Sequence, residues 1–366
     1  MFDRVGAQAA RPGGALDSWE QVVYCHDPST GLRAIIAVHS TSLGPALGGT
    51  RFYPYPSEDD ALTDVLRLAR GMTYKSSAAG LDLGGGKAVI LGDPAQVRTE
   101  ALIRAYGRFV DALGGRYITA EDVGTTQADM DLIRRETHHV TGVSRSLGGS
   151  GDPSAATAYG VLHAMKAVSR HLWGTTELAG RHVSVAGVGK VGSNLVRHLV
   201  EDRAHVTVTD VNPVAVARVV RDFGVDSVAV EKVHAVECDI HSPCALGASL
   251  NAETIPELRC AAVVGSANNQ LADPSCAELL QHTGVLYAPD FVVNAGGVIN
   301  IAEELIGYHR ERAYAAIRRI FDTTTQVLEI GVREGITTAE AADRMAEHRI
   351  AELSHVGRIR TFRAEH

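Results

Sequence analysis

The chain has 366 residues, 45% hydrophobic and 21% charged, with a formal net charge of -8. That length suits two domains better than a single core, and the acidic balance excludes an affinity built on neutralising nucleic-acid phosphates. No run of about 18 apolar residues occurs, which excludes a membrane-spanning helix. The five cysteines, with no C-x-x-C spacing, suit free, packed thiols in a reducing cytoplasm.

Residues 1–18 are rich in Gly and Ala, lack the basic-then-apolar pattern of a signal peptide and are expected to fray. Residues 21–26 and 32–39 read as two strands joined by the turn Asp27-Pro28-Ser29-Thr30-Gly31, a hairpin. Ser57, with Asp60 three residues on, marks a helix start, and Leu62, Val65, Leu66 and Ala69 recur at helical spacing. That helix delivers Lys75 near its end, before Gly80. A short strand is expected over 87–91 and an amphipathic helix over 99–113, with Leu102, Tyr106, Phe109 and Leu113 on one face. Residues 117–120 read as a strand running into Glu121-Asp122. The segment 147–153 is a glycine-rich break, and Pro153 suits the first turn of a following helix. Beyond it strands (182–186, 205–210, 261–265, 285–288) alternate with helices (191–201, 213–223), which implies a parallel sheet covered on both faces. Residues 313–334 and 338–353 carry helical periodicity to the end.

Of 35 basic residues only five are lysine: Lys75, Lys87, Lys166, Lys190 and Lys232. Two of these flank the stretch Leu81-Asp82-Leu83-Gly84-Gly85-Gly86. Lysine, unlike arginine, can lose its proton when desolvated or placed beside another cation. The pair can therefore divide the work, one ammonium gripping an anion and the other amine acting as a base. Lys87, after what reads as a tight glycine turn, is the residue expected to be pushed towards neutrality by Lys75 and by burial.

Gly187-Val188-Gly189-Lys190-Val191-Gly192 fits G-x-G-x-x-G. It follows an apolar strand, opens a helix, and precedes Asp210 at the end of the next strand, the context of a Rossmann dinucleotide site. The glycines admit a pyrophosphate to the backbone at a helix N-terminus. A carboxylate at Asp210 accepts ribose hydroxyls and repels a 2′-phosphate, so NAD is expected over NADP. Lys190 is expected to face solvent more than cofactor.

Leu81-x-x-Gly84-Gly85-Gly86-Lys87-x-Val89 with Asp93-Pro94 resembles the signature of the glutamate/leucine/phenylalanine/valine dehydrogenase superfamily. The resemblance runs in order through residues 44–51, Met72-Thr73-Tyr74-Lys75, residues 119–125, residues 243–247, Ala267-Asn268-Asn269, Tyr287-Ala288-Pro289-Asp290 and residues 294–298. Stretches 44–55 and 341–352 resemble the actinobacterial valine-type branch. It implies oxidative deamination of an L-amino acid with NAD, through an iminium that water converts to a 2-oxo acid and ammonia. On this resemblance Lys87 activates the water, Asp122 relays protons to and from the amine, and Lys75 holds the substrate carboxylate with the backbone of Gly48 and Gly49. Met72 belongs with Lys75, Asn268 lies beside nicotinamide and substrate, and Cys244, Ala245, Ala267 and Asn294 border the cofactor. Ser76, where many relatives carry Asn, is a minor departure.

Glutamate-specific relatives carry a lysine where this chain has Leu47, and leucine cannot pair a buried carboxylate. Phenylalanine-type relatives tend to have glycine where Ala120 stands. With Val298 and Ile301, Leu47 and Ala120 describe a small apolar slot suited to valine, leucine or isoleucine; a glutamate- or phenylalanine-directed enzyme and a silent NAD-binding protein are the alternatives. His138, His139 and His163 show no metal-binding spacing. The expected fold is α/β with two domains. Residues 1–149 form a mixed-sheet substrate and assembly domain to which helices in 323–366 return, and 150–322 form the Rossmann domain, with the active site in the cleft. The hairpin supplies an edge strand of the kind a second subunit covers, so a homodimer or larger homo-oligomer is expected.

Overall fold

The structure is a computed structural model and describes residues 18–355; the expectation for the extreme N-terminus falls outside them, apart from Ser18. The chain divides into two compact units. One holds the residues up to Asp152 with Ile301–Tyr308 and the chain from Ala346; the other holds Pro153–Asn300 and His309–Met345.

In the first unit, chain order is β1 (Gln21–Asp27), β2 (Leu32–Ser40), β3 (Ala46–Tyr53), α1 (Glu58–Ala78), β4 (Gly84–Leu91), α2 (Pro94–Val97), α3 (Glu100–Asp111), β5 (Tyr117–Glu121) and α4 (Gln127–Ile133). The strands form one mixed sheet in the order β1-β2-β4-β3-β5. β1 and β2 make the expected antiparallel hairpin. Its turn is tied by the Asp27 carboxylate, which accepts from the Ser29 N–H at 3.0 Å and the Thr30 hydroxyl at 2.9 Å. β2 runs antiparallel to β4, while β3 is parallel to both β4 and β5.

Strand alternation splits the apolar residues between two faces. Ile35, Ala37 and Val89 meet Ala61, Leu62, Val65, Leu66 and Ala69 of α1. On the other face Ile36, Val38, Phe52, Ala88 and Ile90 meet Leu102, Ile103, Tyr106 and Val110 of α3 and Met130 and Ile133 of α4. α1 begins where sequence places it: the Ser57 hydroxyl accepts from the Asp60 N–H at 3.1 Å. Three acidic residues occupy its first turn and Lys75 its last, which suits the helix dipole. Each buried Leu or Val on that stripe stabilises by about 1.5–3 kcal/mol, far more than helix propensity supplies.

The second unit contains α5 (Ser154–Trp173), β6 (His182–Ala186), α6 (Lys190–Glu201), β7 (His205–Thr209), α7 (Pro213–Phe223), β8 (Asp226–Ser227), β9 (Ile240–Pro243), β10 (Ala262–Val263), α8 (Ser275–His282), β11 (Leu286–Tyr287), α9 (Asp290–Val293), α10 (Gly296–Ala302), α11 (Arg310–Arg318), α12 (Ile320–Glu334) and α13 (Thr338–Ser354). α10 and α13 each start in this unit and end in the first. The six strands run parallel in the order β11-β10-β9-β6-β7-β8, a doubly wound sheet whose order reverses beside β6.

Two expectations need correction. The helix expected over 313–334 is two helices, α11 and α12, separated at Arg319. Residues 323–366 do not return together to the first unit: the chain stays with the second as far as Met345. The reason is packing, because α12 buries Val327, Leu328 and Ile330 and lies along α5. Contact is so close that a Cβ on Gly160 would come within 2.7 Å of Ile320 Cδ1. Among the described residues no helix is long and apolar enough to cross a membrane.

Candidate active site and dinucleotide cradle

Gly84, Gly85 and Gly86 lie inside β4, not in the tight turn that the sequence suggested. They are small because three neighbours press on them. A Cβ on Gly84 would stand 1.9 Å from the Ser40 carbonyl oxygen, one on Gly85 2.0 Å from the Thr73 nitrogen, and one on Gly86 2.8 Å from the Tyr117 ring. Glycine in a strand marks such backbone approach. Gly85 thereby seats α1 directly on β4, two residues before Lys75 on the helix and two before Lys87 on the strand. Period two then puts Lys87 on the same face as Gly85 and Val89, the face that α1 covers.

Lys87 is buried, with 7% of its surface exposed. Its ammonium forms an ion pair with the Asp122 carboxylate. Asp122 follows the last residue of β5, in a turn fastened to β3: the Phe52 N–H donates to the Val123 carbonyl at 2.8 Å, and the Thr125 hydroxyl donates to the Thr50 carbonyl at 2.9 Å. Gly124, at φ +82°, is required there, since a Cβ would reach 1.9 Å from the Phe52 oxygen. Asp122 Oδ1 accepts from the Val123 N–H at 2.7 Å, and Arg51 Nε stands 3.8 Å from Oδ2. Burial alone would raise the Asp122 carboxyl; the charge and hydrogen bond of Lys87, the charge of Arg51 and the Val123 N–H outweigh it and hold the group below the usual carboxylate range.

Of the substrate-side residues, Leu47, Gly48, Gly49 and Ala120 lie on the strands that carry or adjoin this pair. Gly49 is the β3 partner of Ala120, and a Cβ on it would lie 2.9 Å from Asp122 Cβ. Leu47 pairs with Gly85 on one side and Ile118 on the other, so it is a diagonal neighbour of Ala120 on one sheet face. Both are buried. The Gly48 carbonyl accepts from the Tyr117 hydroxyl at 2.6 Å. Beneath, Thr50 joins Tyr106 at 2.5 Å and Thr119 at 2.6 Å, a buried polar network that stiffens β3 against β5. Met72 and Lys75 are half-buried and share a face of α1. Val298 and Ile301 sit on α10, Val298 buried and Ile301 half-buried.

In the second unit the glycine motif bridges β6 and α6. Gly187 takes φ +108°, and a Cβ there would strike Ala245 at 2.7 Å. One on Gly192 would stand 2.0 Å from the Gly187 oxygen, whereas one on Gly189 would meet nothing within 4 Å. The loop therefore packs tightly at both ends and is open in its middle, the shape a pyrophosphate needs. No side chain caps α6, which leaves its first N–H groups for an anion. Lys190 is exposed and Val191 half-buried. Asp210 Oδ2 accepts from the Val188 N–H and Oδ1 from the Asn212 N–H, each at 2.8 Å. The carboxylate is thus fixed against the glycine loop.

The loops after β9 and β10 complete the cradle. The Ala248 N–H donates to Asn269 O at 2.7 Å and the Ala267 N–H to Pro243 O at 3.0 Å. Cys244 packs toward Gly192, and its sulfur lies 3.5 Å from the Ser242 hydroxyl. Asn294 caps the end of α9 just before α10. Its Nδ2 donates to Asn268 Oδ1 at 2.9 Å and to Ser266 O at 3.1 Å, while its buried Oδ1 has no partner among the described residues. A buried amide oxygen without a donor fits a ligand amide.

Sequence reasoning missed Arg51, Asp64 and Tyr55. Arg51 Nη1 is 2.8 Å from Asp64 Oδ2, which also accepts from the Tyr55 hydroxyl at 2.7 Å. The signal was present: Arg51 lies two residues beyond Gly49 on the same strand, hence on the same face. Exposed Val211, Val214 and Leu246 beside Asp210 and Ala245 were missed too.

Residues 19–139 match the family model described as Glu/Leu/Phe/Val dehydrogenase, dimerisation domain, and residues 148–218 and 214–356 match that of Glutamate/Leucine/Phenylalanine/Valine dehydrogenase. A leucine dehydrogenase of Bacillus cereus is 54% identical over 337 residues, 92% of each chain. A valine dehydrogenase of Streptomyces coelicolor is 54% identical over 337 residues, 91% of this chain and 92% of that one. The crystal structure of an L-tryptophan dehydrogenase from Nostoc punctiforme superposes with a TM-score of 0.84 at 42% identity, covering 97% of this chain and 100% of the other.

Proposed function

The chain belongs to the Glu/Leu/Phe/Val dehydrogenase family, and on that premise we propose that it catalyses the reversible oxidative deamination of a branched-chain L-amino acid. Valine, leucine or isoleucine, NAD and water give the 2-oxo acid, ammonium, NADH and a proton. One observation carries the reading: a buried lysine–carboxylate pair, Lys87 and Asp122, on the sheet face that also bears apolar Leu47 and Ala120. A buried glutamate side-chain carboxylate would have no cation at Leu47.

When bound, NAD supplies the acceptor for the hydride that leaves the substrate α-carbon. The chain does the rest. Lys75 grips the α-carboxylate, and the side-chain-free backbone at Gly48 and Gly49 lets the substrate lie close. Asp122, ionised, takes a proton from the substrate ammonium, which frees the nitrogen lone pair to form the iminium, and returns that proton to the amine as the carbinolamine breaks down. Lys87, as the neutral amine, removes a proton from the attacking water and passes it to solvent, then takes the carbinolamine hydroxyl proton and gives it to the departing ammonia. Asp210 receives the adenosine ribose hydroxyls and disfavours a 2′-phosphate. Val211, Val214 and Leu246 offer apolar surface to the base, and the free Asn294 oxygen suits the nicotinamide amide.

The leucine and valine dehydrogenase relatives support the branched-chain assignment, and the model named for dimerisation supports a homo-oligomer, for which the edge strand β1 is the natural contact. Five free thiols fit a cytoplasmic setting. The test is a panel of valine, leucine, isoleucine, phenylalanine and glutamate with NAD and with NADP, followed at about 340 nm, the absorbance band that hydride transfer to nicotinamide creates. The branched-chain substrates with NAD should dominate; turnover confined to phenylalanine or glutamate would overturn the substrate class.

A further inference from the structure

Asp122 faces two cations, not one, and the second is a residue to which sequence reasoning gave no role. Arg51, on β3, sits between two carboxylates: Nη1 is 2.8 Å from Asp64 Oδ2 and Nε is 3.8 Å from Asp122 Oδ2. All three side chains are largely buried, at 24%, 15% and 19% exposure. Asp64 is itself pinned, accepting from the Tyr55 hydroxyl at 2.7 Å and from Arg67 at 3.1 Å. The anchor thus holds the guanidinium just short of hydrogen-bonding range of Asp122.

We infer that Arg51 is a positioning residue for the deamination: it supplies the standing positive charge that keeps Asp122 ionised while Lys87 is a neutral amine. This rests on the proton-transfer roles proposed for Lys87 and Asp122. The argument is one of charge balance. Lys87 serves as a base only after giving up its proton, and at that moment Asp122 loses its closest counter-ion. A buried carboxylate without a cation takes up a proton, and a protonated Asp122 cannot accept one from the substrate. Arginine keeps its charge where lysine loses it. At 3.8 Å the guanidinium acts on Asp122 through charge without occupying the lone pairs that Lys87 and the amine use. Its Nε has no hydrogen-bond partner among the described residues, which fits a through-space role. Among the described residues, the ionisable groups around Arg51 and Asp122 include Lys87 on β4, Asp64 and Arg67 on α1, Tyr55 beyond β3 and Tyr117 on β5, whose hydroxyl is committed to the Gly48 carbonyl.

The test compares pH profiles of kcat/KM for the wild type, Arg51→Gln and Asp64→Asn, with NADH affinity and Tm measured on each. Arg51→Gln should move the acid limb up by about one pH unit and leave NADH affinity within about twofold, within the usual reach of a substitution remote from a ligand. Asp64→Asn removes the competing carboxylate, so its limb should move down. A carbon-13 NMR titration of the Asp122 carboxyl, which needs no turnover, should report the same two displacements. An Arg51→Gln limb and carboxyl titration superimposable on the wild type would overturn the inference even if the rate fell. If Arg51→Gln does not fold, an Asp64→Asn limb that rises or stays still overturns it instead. Wild-type protein without amino-acid-dependent NAD reduction would refute the deamination reading separately, and the NMR titration would still decide whether Arg51 holds Asp122 ionised.

Discussion

Lys87 and Asp122 show how a strand with no side chains on three successive residues can carry chemistry on the fourth. The glycines bring helix, sheet and turn close, and the first side chain after them points at the carboxylate at the end of β5. Lys87→Ala removes the proposed base and one cation facing Asp122; turnover should fall about 10²–10⁴-fold, with NADH affinity near the wild-type value because the proposed cradle residues belong to the second unit. Stopped-flow turnover and fluorescence titration with NADH check both halves, and retained deamination would remove Lys87 from the mechanism. The neighbourhood of Lys87 and Asp122 and the place of Asp210 against the glycine loop were legible because each residue stands in a short motif of distinctive residue types. Arg51 was passed over although it stands two residues beyond Gly49, because that spacing acquires a meaning only when register sets it between two carboxylates from other elements.

Among the elements, long periodic ones were readable and glycine-rich ones were not. α1 announces itself by its cap and its apolar stripe, and β1 and β2 by alternation and turn chemistry. β3 and the first half of β4 contain the glycine runs, and glycine argues against a strand by propensity. What overrides propensity is close packing from outside the strand, which no local window contains. Gly85→Ala tests this directly: its Cβ would fall 2.0 Å from the Thr73 nitrogen, backbone that cannot step aside alone. Stability to denaturant should drop by about 1–3 kcal/mol or more and activity should fall with it, since α1 also carries Lys75. An alanine variant as stable and active as the wild type would show that α1 can lift freely off β4. Glu304 makes a second test. Its carboxylate accepts from the Gly142 N–H at 2.9 Å, the Ser150 N–H at 2.8 Å and the Ser150 hydroxyl at 2.6 Å. Glu304→Ala should cost about 2–3 kcal/mol while Glu304→Gln, which keeps an acceptor, costs less; equal losses would argue that the hydrogen bonds are unimportant.

For the molecule as a whole, acid sensitivity follows from the buried carboxylates. In both Asp64 and Asp122 burial favours the neutral acid, yet neighbouring donors and cations win and lower the folded-state value. A group lowered on folding contributes its full stabilisation above its unfolded value, about 3.9, and the contribution is lost as pH falls through the folded value. Urea midpoints should therefore be level near neutrality and decline below about pH 5, with a shallower decline in Asp64→Asn; parallel declines would exclude Asp64 as a source. The division into two units was legible from the glycine-rich break at 147–153 and from the change to strand–helix alternation after it. The destination of the last helices was not, because amphipathic periodicity says that a helix buries one face without saying against what.

Neither unit is one continuous stretch of chain. The first is completed by Ile301–Tyr308 and by residues from Ala346 onward; Glu304 ties down the segment that carries Gly142 and Ser150, and Arg349 donates to the Leu81 carbonyl and reaches the Asp82 carboxylate, each at 2.8 Å. A ribosome that has made Asp152 has therefore delivered all five strands of the first sheet but none of these fasteners. The nascent sheet must wait until first Glu304 and then Arg349 have been made, and a fragment ending at Asp152 would lack both fasteners for good.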